Sequence, residues 1–349
     1  MRTRRLLALA ATAAALTLVA TGCSANDSNA TSSASPSATS DNSLVLYSGR
    51  SEDLIGPLVE KFTQKTGIEV DVRYGSTGEM AALLQEEGDR TPAQVFLSQD
   101  AGALGGLASD GLVATLPATI VDAVPAEFTS TDDSWVGVTG RARVIAYDSQ
   151  QLTEADVPSS VDGLVDPMWN GQIAFPPGNA SFQAFVTALR ILEGEDAAEA
   201  WVAGIAANNP VLTEKNGQTM ELVNTGAAKL ALINHYYWYE AAAEVGRENM
   251  RVQLKFLPKD PGGMVNVTGA AIPLAAKDDP DALAFVEYLL SDEAQTYFAE
   301  VTYEYPLVPG VAVPEGLPAL DTLVNPGLDL SDLTSLPKTQ ELLAAHGLI

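Results

Sequence analysis

Apolar positions along the body of this chain alternate between two rhythms. The run Leu44-Val45-Leu46-Tyr47, the every-other-residue pattern at Ile68, Val70 and Val72, and the stretch 93–97 predict three strands. Between them Leu54, Leu58, Val59 and Phe62 share one helical face, which predicts a helix over 53–66 ended by Gly67. Helices are also expected over 79–87 and 101–108. Strand and helix alternating at this spacing predict an α/β fold built on a mostly parallel sheet. Ligands of such sheets collect in loops at the carboxyl ends of the strands. Three loops here meet that rule: 48–51, 75–78 and 98–100.

A second unit begins near Tyr147. It contains a strand over 171–175, a turn at Pro176-Pro177-Gly178-Asn179, and a helical pattern over 180–192. Ser181 stands at the start of that helix, where unpaired backbone N–H groups suit an anion. Helices over 201–207 and 218–225 flank a short strand at Val211-Leu212 and a turn at Asn216-Gly217. The chain returns to the first unit through Gly269-Ala-Ala-Ile-Pro273, followed by a helix over 279–290. Residues 317–349 read as packing elements. Two units joined by more than one crossing predict a hinge.

The densest chemical signal follows the apolar strand Lys229-Leu-Ala-Leu-Ile233: it is Asn234-His235-Tyr236-Tyr237-Trp238-Tyr239. Adjacent tyrosines leaving a strand end can present two phenol oxygens to a cleft, and phenolate is a hard donor suited to a highly charged cation such as Fe(III). The competing reading is aromatic packing between the two units.

The N-terminus places the body. Arg2, Arg4 and Arg5 precede an apolar run over 6–20 and then Thr21-Gly22-Cys23, the pattern of a secretory signal. The run is shorter than the roughly 20 residues a membrane span needs. Cys23 is the chain's only cysteine and so forms no intrachain disulfide. It is expected to carry a lipid, and the segment resembles the lipobox of bacterial lipoproteins. Residues 24–43 are mostly Ser, Ala, Thr, Asn and Asp, a composition for a flexible tether. The expected order is a signal peptide (1–22), a lipid-anchored leash (23–43) and a globular body on the outer face of the cytoplasmic membrane. Net charge is −26, which excludes a nucleic-acid partner and leaves the anchor as the membrane contact. The loop 48–51 lacks G-x-G-x-x-G spacing, there is no phosphate-loop lysine motif, and neither H-E-x-x-H nor G-x-S-x-G occurs.

Together, Tyr47-Ser-Gly-Arg50, Val95-Phe-Leu-Ser-Gln-Asp-Ala-Gly-Ala-Leu104, Trp135-Val-Gly-Val-Thr-Gly-Arg-Ala-Arg143, Ser181-Phe-Gln-Ala-Phe-Val-Thr-Ala-Leu-Arg190, Asn234-His-Tyr-Tyr-Trp238 and Tyr305-Pro-Leu-Val-Pro309 resemble the ferric-iron-binding proteins of bacterial ABC importers. The resemblance spans about 44–311. It implies the two-lobed type II periplasmic-binding-protein fold, with one lobe from 44–141 and 267–315 and the other from 142–266 and 316–349. It also implies a monomer that delivers iron to a membrane permease. By the same resemblance Tyr236 and Tyr237 are the metal ligands. Asn234 would help to hold a small anion such as carbonate or phosphate, with Thr139, Gly140, Asn179 and Ser181. The family's usual histidine and glutamate ligand positions are Ser51 and Gln99 here, with Asp100 beside the latter. Arg50, Arg141 and Arg143 offer fixed donor forks for an anion that would fill such gaps.

Of the two histidines, His235 is expected to be structural rather than a ligand, and His346 to end a terminal helix before Gly347. The implied mechanism is capture by closure of the lobes, which excludes water. Phenol titrates near ~10, so iron must displace protons and affinity should fall at low pH. A lobe pair for a polyamine or small organic anion, with 236–239 lining the pocket, is the alternative binding reading. An anchored extracellular enzyme is the third; no nucleophile–base pair can be assembled for it.

Overall fold

The computed structural model describes residues 41–324 and 327–349. The expected signal, Cys23 and the leash through residue 40 lie outside the described residues. The first half contains β1 (Ser43–Ser48), α1 (Glu52–Thr66), β2 (Glu69–Tyr74), α2 (Thr77–Glu87), β3 (Val95–Ser98), α3 (Ala101–Ser109), the single-turn α4 (Ala118–Val121) and β4 (Val136–Asp148). Next come β5 (Ile173–Phe175), α5 (Ala180–Glu193), α6 (Glu195–Ala207), β6 (Val211–Leu212), α7 (Asn216–Asn224), β7 (Leu230–Asn234), α8 (Tyr236–Val245) and β8 (Val252–Phe256). The chain closes with β9 (Val265–Ala271), α9 (Pro280–Leu289), α10 (Asp292–Glu300), β10 (Tyr305–Pro306), α11 (Leu320–Leu323) and α12 (Leu336–Ala345).

Local chemistry explains most boundaries. Gly67 ends α1 in the left-handed region, at φ 77°, where glycine carries no Cβ penalty. α2 begins two residues earlier than expected because Ser76 and Glu79 form a reciprocal capping box. α6 runs back to Glu195, where an acidic first turn and an alanine-rich segment favour helix. His346 follows α12 and Gly347 takes φ 70°, as expected for a helix stop.

The strands order as β2-β1-β3-β9-β4-β7-β5-β6, with β8 and β10 also paired to β4. β1 is parallel to β2 and β3, and β5 to β6 and β7, as the alternation predicts. The middle is antiparallel instead, because β4 carries the chain out of one half-sheet and β9 brings it back. Val136–Ala142 of β4 pair with β9, whereas its residues from Arg143 onward pair with β7 and β8. β4 therefore changes partners between Ala142 and Arg143. Its thirteen positions are all buried, so it shows no solvent-facing alternation.

The C-terminal segment makes a third link. The turn at Leu330–Asp332 packs on α3. A Cβ on Gly102 would lie 2.6 Å from the Leu333 carbonyl oxygen, and one on Gly105 would lie 2.9 Å from Thr334 Cγ2. The next residue is already on α5: Arg190 donates to both the carbonyl and the hydroxyl of Ser335, each at 3.1 Å. Two adjacent residues thus connect α3 to α5.

Candidate functional site

The expected residues arrive from the ends of strands. β1 ends in a loop where the Arg50 N–H donates to Ser48 Oγ (3.0 Å) and Ser48 Oγ donates to the Arg50 carbonyl (2.9 Å). The loop after β3 repeats the device: Asp100 N donates to Ser98 Oγ, which donates to the Asp100 carbonyl. Asp100 then caps α3 by accepting from Ala103 N at 3.1 Å. Gln99 N is held by Thr77 Oγ1 of the neighbouring loop (2.9 Å), and the Gln99 carbonyl accepts from Arg141. All three sequence-predicted loops therefore interlock.

From the other half-sheet, Asn234 ends β7 directly opposite Arg143 of β4. His235 forms the corner, and Tyr236 and Tyr237 open α8. Their rings stack, with centroids 4.3 Å apart and planes at 27°. The Arg50 guanidinium lies 5.6 Å from the Tyr236 ring centroid. Arg143 Nη1 lies 3.4 Å from Ser181 Oγ and 3.5 Å from Asn234 Oδ1. Asn179 caps α5 through its Oδ1, which accepts from Ser181 N (3.1 Å) and Ser181 Oγ (2.6 Å). These contacts form three groups, Arg50 with Tyr236 and Tyr237, Gln99 with Arg141, and Arg143 with Asn179, Ser181 and Asn234, and Glu304 links the first two by pairing with both Arg50 and Arg141. Thr139 and Gly140 lie on β4 opposite β10, Thr139 two residues before Arg141 with its Oγ1 buried and without a partner among the described residues. A Cβ on Gly140 would meet Leu307 and Tyr305 side chains, so that position faces packing. Ser51 is exposed and makes no side-chain cap on α1.

Electrostatics set this cluster apart. Arg50, Arg141 and Arg143 are all at most 3% exposed. Burying a guanidinium is costly unless an anion compensates. Burial drags Arg143 down to about 9, and the like charge of Arg141 adds to the effect, with Tyr237 opposing both. Arg141 is likewise lowered by burial and then by Arg50. Arg50 moves upward: Glu304, Tyr236 and Tyr237 together outweigh its burial. Burial also raises the Tyr236 phenol well above its ordinary value, with Tyr237 adding and Arg50 opposing. Asp100 is raised by burial despite its backbone hydrogen bonds and Arg141.

Several polar atoms here have no hydrogen-bond partner among the described residues: Tyr236 Oη, Asn234 Nδ2, Arg143 Nε and Nη2, and Arg141 Nη1. Each such buried group costs about 1–3 kcal/mol. A cluster of them in one place is the mark of a site that a polar ligand completes. Among the described residues no group of three or more His, Cys, Asp or Glu side chains is placed to hold a metal ion. A metal bound here would rest on phenol oxygens and whatever anion accompanies it.

Two further buried residues brace the site. His235 accepts from Ala142 N at Nδ1 (3.2 Å) and meets the Tyr303 carbonyl at Nε2 (2.9 Å). That commits both nitrogens of the neutral ring to backbone, and burial pushes the imidazole down to about 4. Glu304 is the residue that sequence reasoning missed. It is wholly buried and pairs with Arg50 (3.0 Å) and Arg141 (3.7 Å). The only nearby signal was the Tyr305-Pro-Leu-Val-Pro309 segment, one residue downstream.

Half-sheets sharing a strand, with a polar buried site fed by loops from both, define a solute-binding architecture. The chain belongs to the bacterial extracellular solute-binding protein family, whose model matches residues 90–330. It is 32% identical over 311 residues to the major ferric iron-binding protein of Neisseria meningitidis, covering 87% of this chain and 93% of that protein. Iron-bound HitA from Pseudomonas aeruginosa superposes with a TM-score of 0.82 at 33% identity, covering 87% of this chain and 99% of HitA. The Trichodesmium protein IdiA (FutA), solved with iron and citrate ligands, gives 0.76 at 27% identity, covering 88% and 100%. These relatives share the two-lobed periplasmic iron-binding fold.

Proposed function

We propose that this chain is the extracytoplasmic capture component of an ABC importer for ferric iron. The observation that carries this reading is the stacked Tyr236–Tyr237 pair opening α8, with Tyr236 Oη buried and without a hydrogen-bond partner among the described residues, beside three buried arginines. Two phenolates suit Fe(III), a hard cation. The orphaned donors of Arg143 and Asn234, with Ser181 and the Asn179 cap beside them, suit a small anion such as carbonate or phosphate that completes the metal's shell. Arg50, Gln99, Asp100 and Arg141 frame the same space from the first half-sheet, while Thr139 and Gly140 contribute the strand beneath it.

Ser51 and Gln99 leave the protein short of strong donors on that side, so the anion carries more of the coordination. Capture proceeds by closure about the strand crossings at Ala142–Arg143 and 257–264, which brings the loops of β1 and β3 onto α8 and α5. Water exclusion strengthens every charge interaction inside. The closed form is what a membrane permease would read, with Cys23 as the lipid anchor that keeps the monomer at the membrane. A polyamine is disfavoured because three buried guanidinium groups repel a cation that brings no anion. An enzyme is disfavoured because His235, the one histidine near the site, has both nitrogens engaged. The test is a ferric titration of the full chain with a small anion present, read by the visible phenolate-to-iron charge-transfer band. A band saturating at one iron per chain supports the reading; its absence refutes it.

A further inference from the structure

Glu304 occupies the short turn between α10 and β10. Its backbone N–H donates to the Phe298 carbonyl at 3.0 Å, and the preceding Tyr303 takes φ 55° with its carbonyl held by His235. The carboxylate is therefore delivered by a braced turn rather than by a free side chain. Oε2 accepts from Thr302 Oγ1 at 3.0 Å, and Oε1 lies 3.0 Å from Arg50 Nη2 and 3.7 Å from Arg141 Nε. Each oxygen is thus committed.

The three arginines are consequently unequal. Arg50 and Arg141 share Glu304 as their ion-pair partner, with Asp100 a further acidic neighbour of Arg141 and Glu240 of Arg50. Arg143 has only neutral partners, Ser181 Oγ and Asn234 Oδ1, and the faces of Phe182 and Phe185, each 5.6 Å from its guanidinium carbon. Two of its nitrogens have no hydrogen bond among the described residues.

We infer that Glu304 is a built-in anion that occupies Arg50 and Arg141 and so confines the exogenous anion to Arg143, limiting the site to one anion. This deepens the proposed iron-binding reading and rests on it for the role of that anion. Glu304 is a positioning and selectivity residue and touches no metal in this scheme. Removing its charge leaves two neighbouring buried guanidiniums without an ion-pair partner among the described residues, a state that favours an anion from solution.

The experiment counts bound inorganic phosphate per full chain by equilibrium dialysis, with and without ferric iron. The wild type should bind one phosphate and Glu304→Gln two. Glu304→Asp, which restores the charge on a shorter stem, should return the count toward one. Arg143→Gln, with Glu304 intact, should bind none, and it reads the same claim should Glu304→Gln fail to fold. A folded Glu304→Gln that still binds one phosphate would overturn the inference, as would an Arg143→Gln protein that keeps its phosphate. A wild type that shows no ferric band removes the iron reading alone, because the iron-free count still decides the role of Glu304.

Discussion

His235 Nε2 lies 2.9 Å from the carbonyl oxygen of Tyr303. This single contact ties β7, which delivers the tyrosines, to the turn that delivers Glu304. The other nitrogen of the ring takes the N–H of Ala142, at the point where β4 changes sheets. The histidine is a brace between hinge and site. His235→Ala should leave one buried N–H and one buried carbonyl unpaired, at about 1–3 kcal/mol each. Urea unfolding should show that loss, while the ferric band keeps its wavelength, since the ring is no ligand. A displaced band would instead place the imidazole on the metal.

The link between α3 and α5 makes a paired prediction. Gly102→Ala puts a Cβ 2.6 Å from the Leu333 carbonyl oxygen, and a backbone atom cannot swing aside. Overpacking of this kind costs roughly 1–3 kcal/mol. Gly106→Ala lies on the same helix with nothing within 4 Å, and should stabilise by up to about 1 kcal/mol. Thermal melts of the two variants should move in opposite directions. Equal shifts would mean that the C-terminal turn does not press on α3.

Arg190, Glu195 and Lys338 form the clip that holds α12 to α5. Arg190 Nε and Nη2 reach Glu195 at 2.8 and 2.9 Å, and Lys338 Nζ reaches it at 2.7 Å. Arg190, then Lys338, hold the Glu195 carboxyl down to about 2. A depressed folded-state value means that the stabilisation is complete above the unfolded carboxyl's ordinary value and fades as pH falls toward 2. Half-exposure of Glu195 keeps the effect near about 1 kcal/mol. Glu195→Gln should flatten that part of the stability–pH curve and change little at neutral pH beyond this loss. An unchanged acid limb would show that the clip contributes nothing.

Much of the architecture was legible because its elements obey simple periodicities. The helix over 53–66 was readable from Leu54, Leu58, Val59 and Phe62, all of which pack inward to some degree. The loops 48–51, 75–78 and 98–100 followed from the rule for parallel sheets. β4 was harder. All thirteen positions are buried, and it carries Gly137, Thr139, Gly140, Arg141 and Arg143, so alternation does not mark it, and its apolar run at 144–147 falls only in the part paired with β7 and β8. β8 and α10 escaped because their patterns are short and set by tertiary packing, and of α12 only the end at His346-Gly347 was readable. At the site, Tyr236 and Tyr237 were visible as a rare residue pair at a strand end. Glu304 was invisible because its partners lie 254 and 163 positions upstream, a separation that only the fold closes.

Tyr236 offers the most direct test of the central claim, because packing and ligation predict different things for one atom. Its hydroxyl is buried with no hydrogen-bond partner at normal distance among the described residues, and the cationic Arg50 is its neighbour. Removing an unsatisfied buried polar group is neutral or stabilising, whereas removing a ligand weakens binding by roughly tenfold or more, about 1.4 kcal/mol at the least. The measurement is a ferric titration of Tyr236→Phe with an anion present, beside urea unfolding of the same iron-free protein. The account predicts equal or higher stability together with a sharply weakened ferric complex and a diminished charge-transfer band. Unchanged iron affinity with a clear loss of stability would contradict it and return Tyr236 to packing.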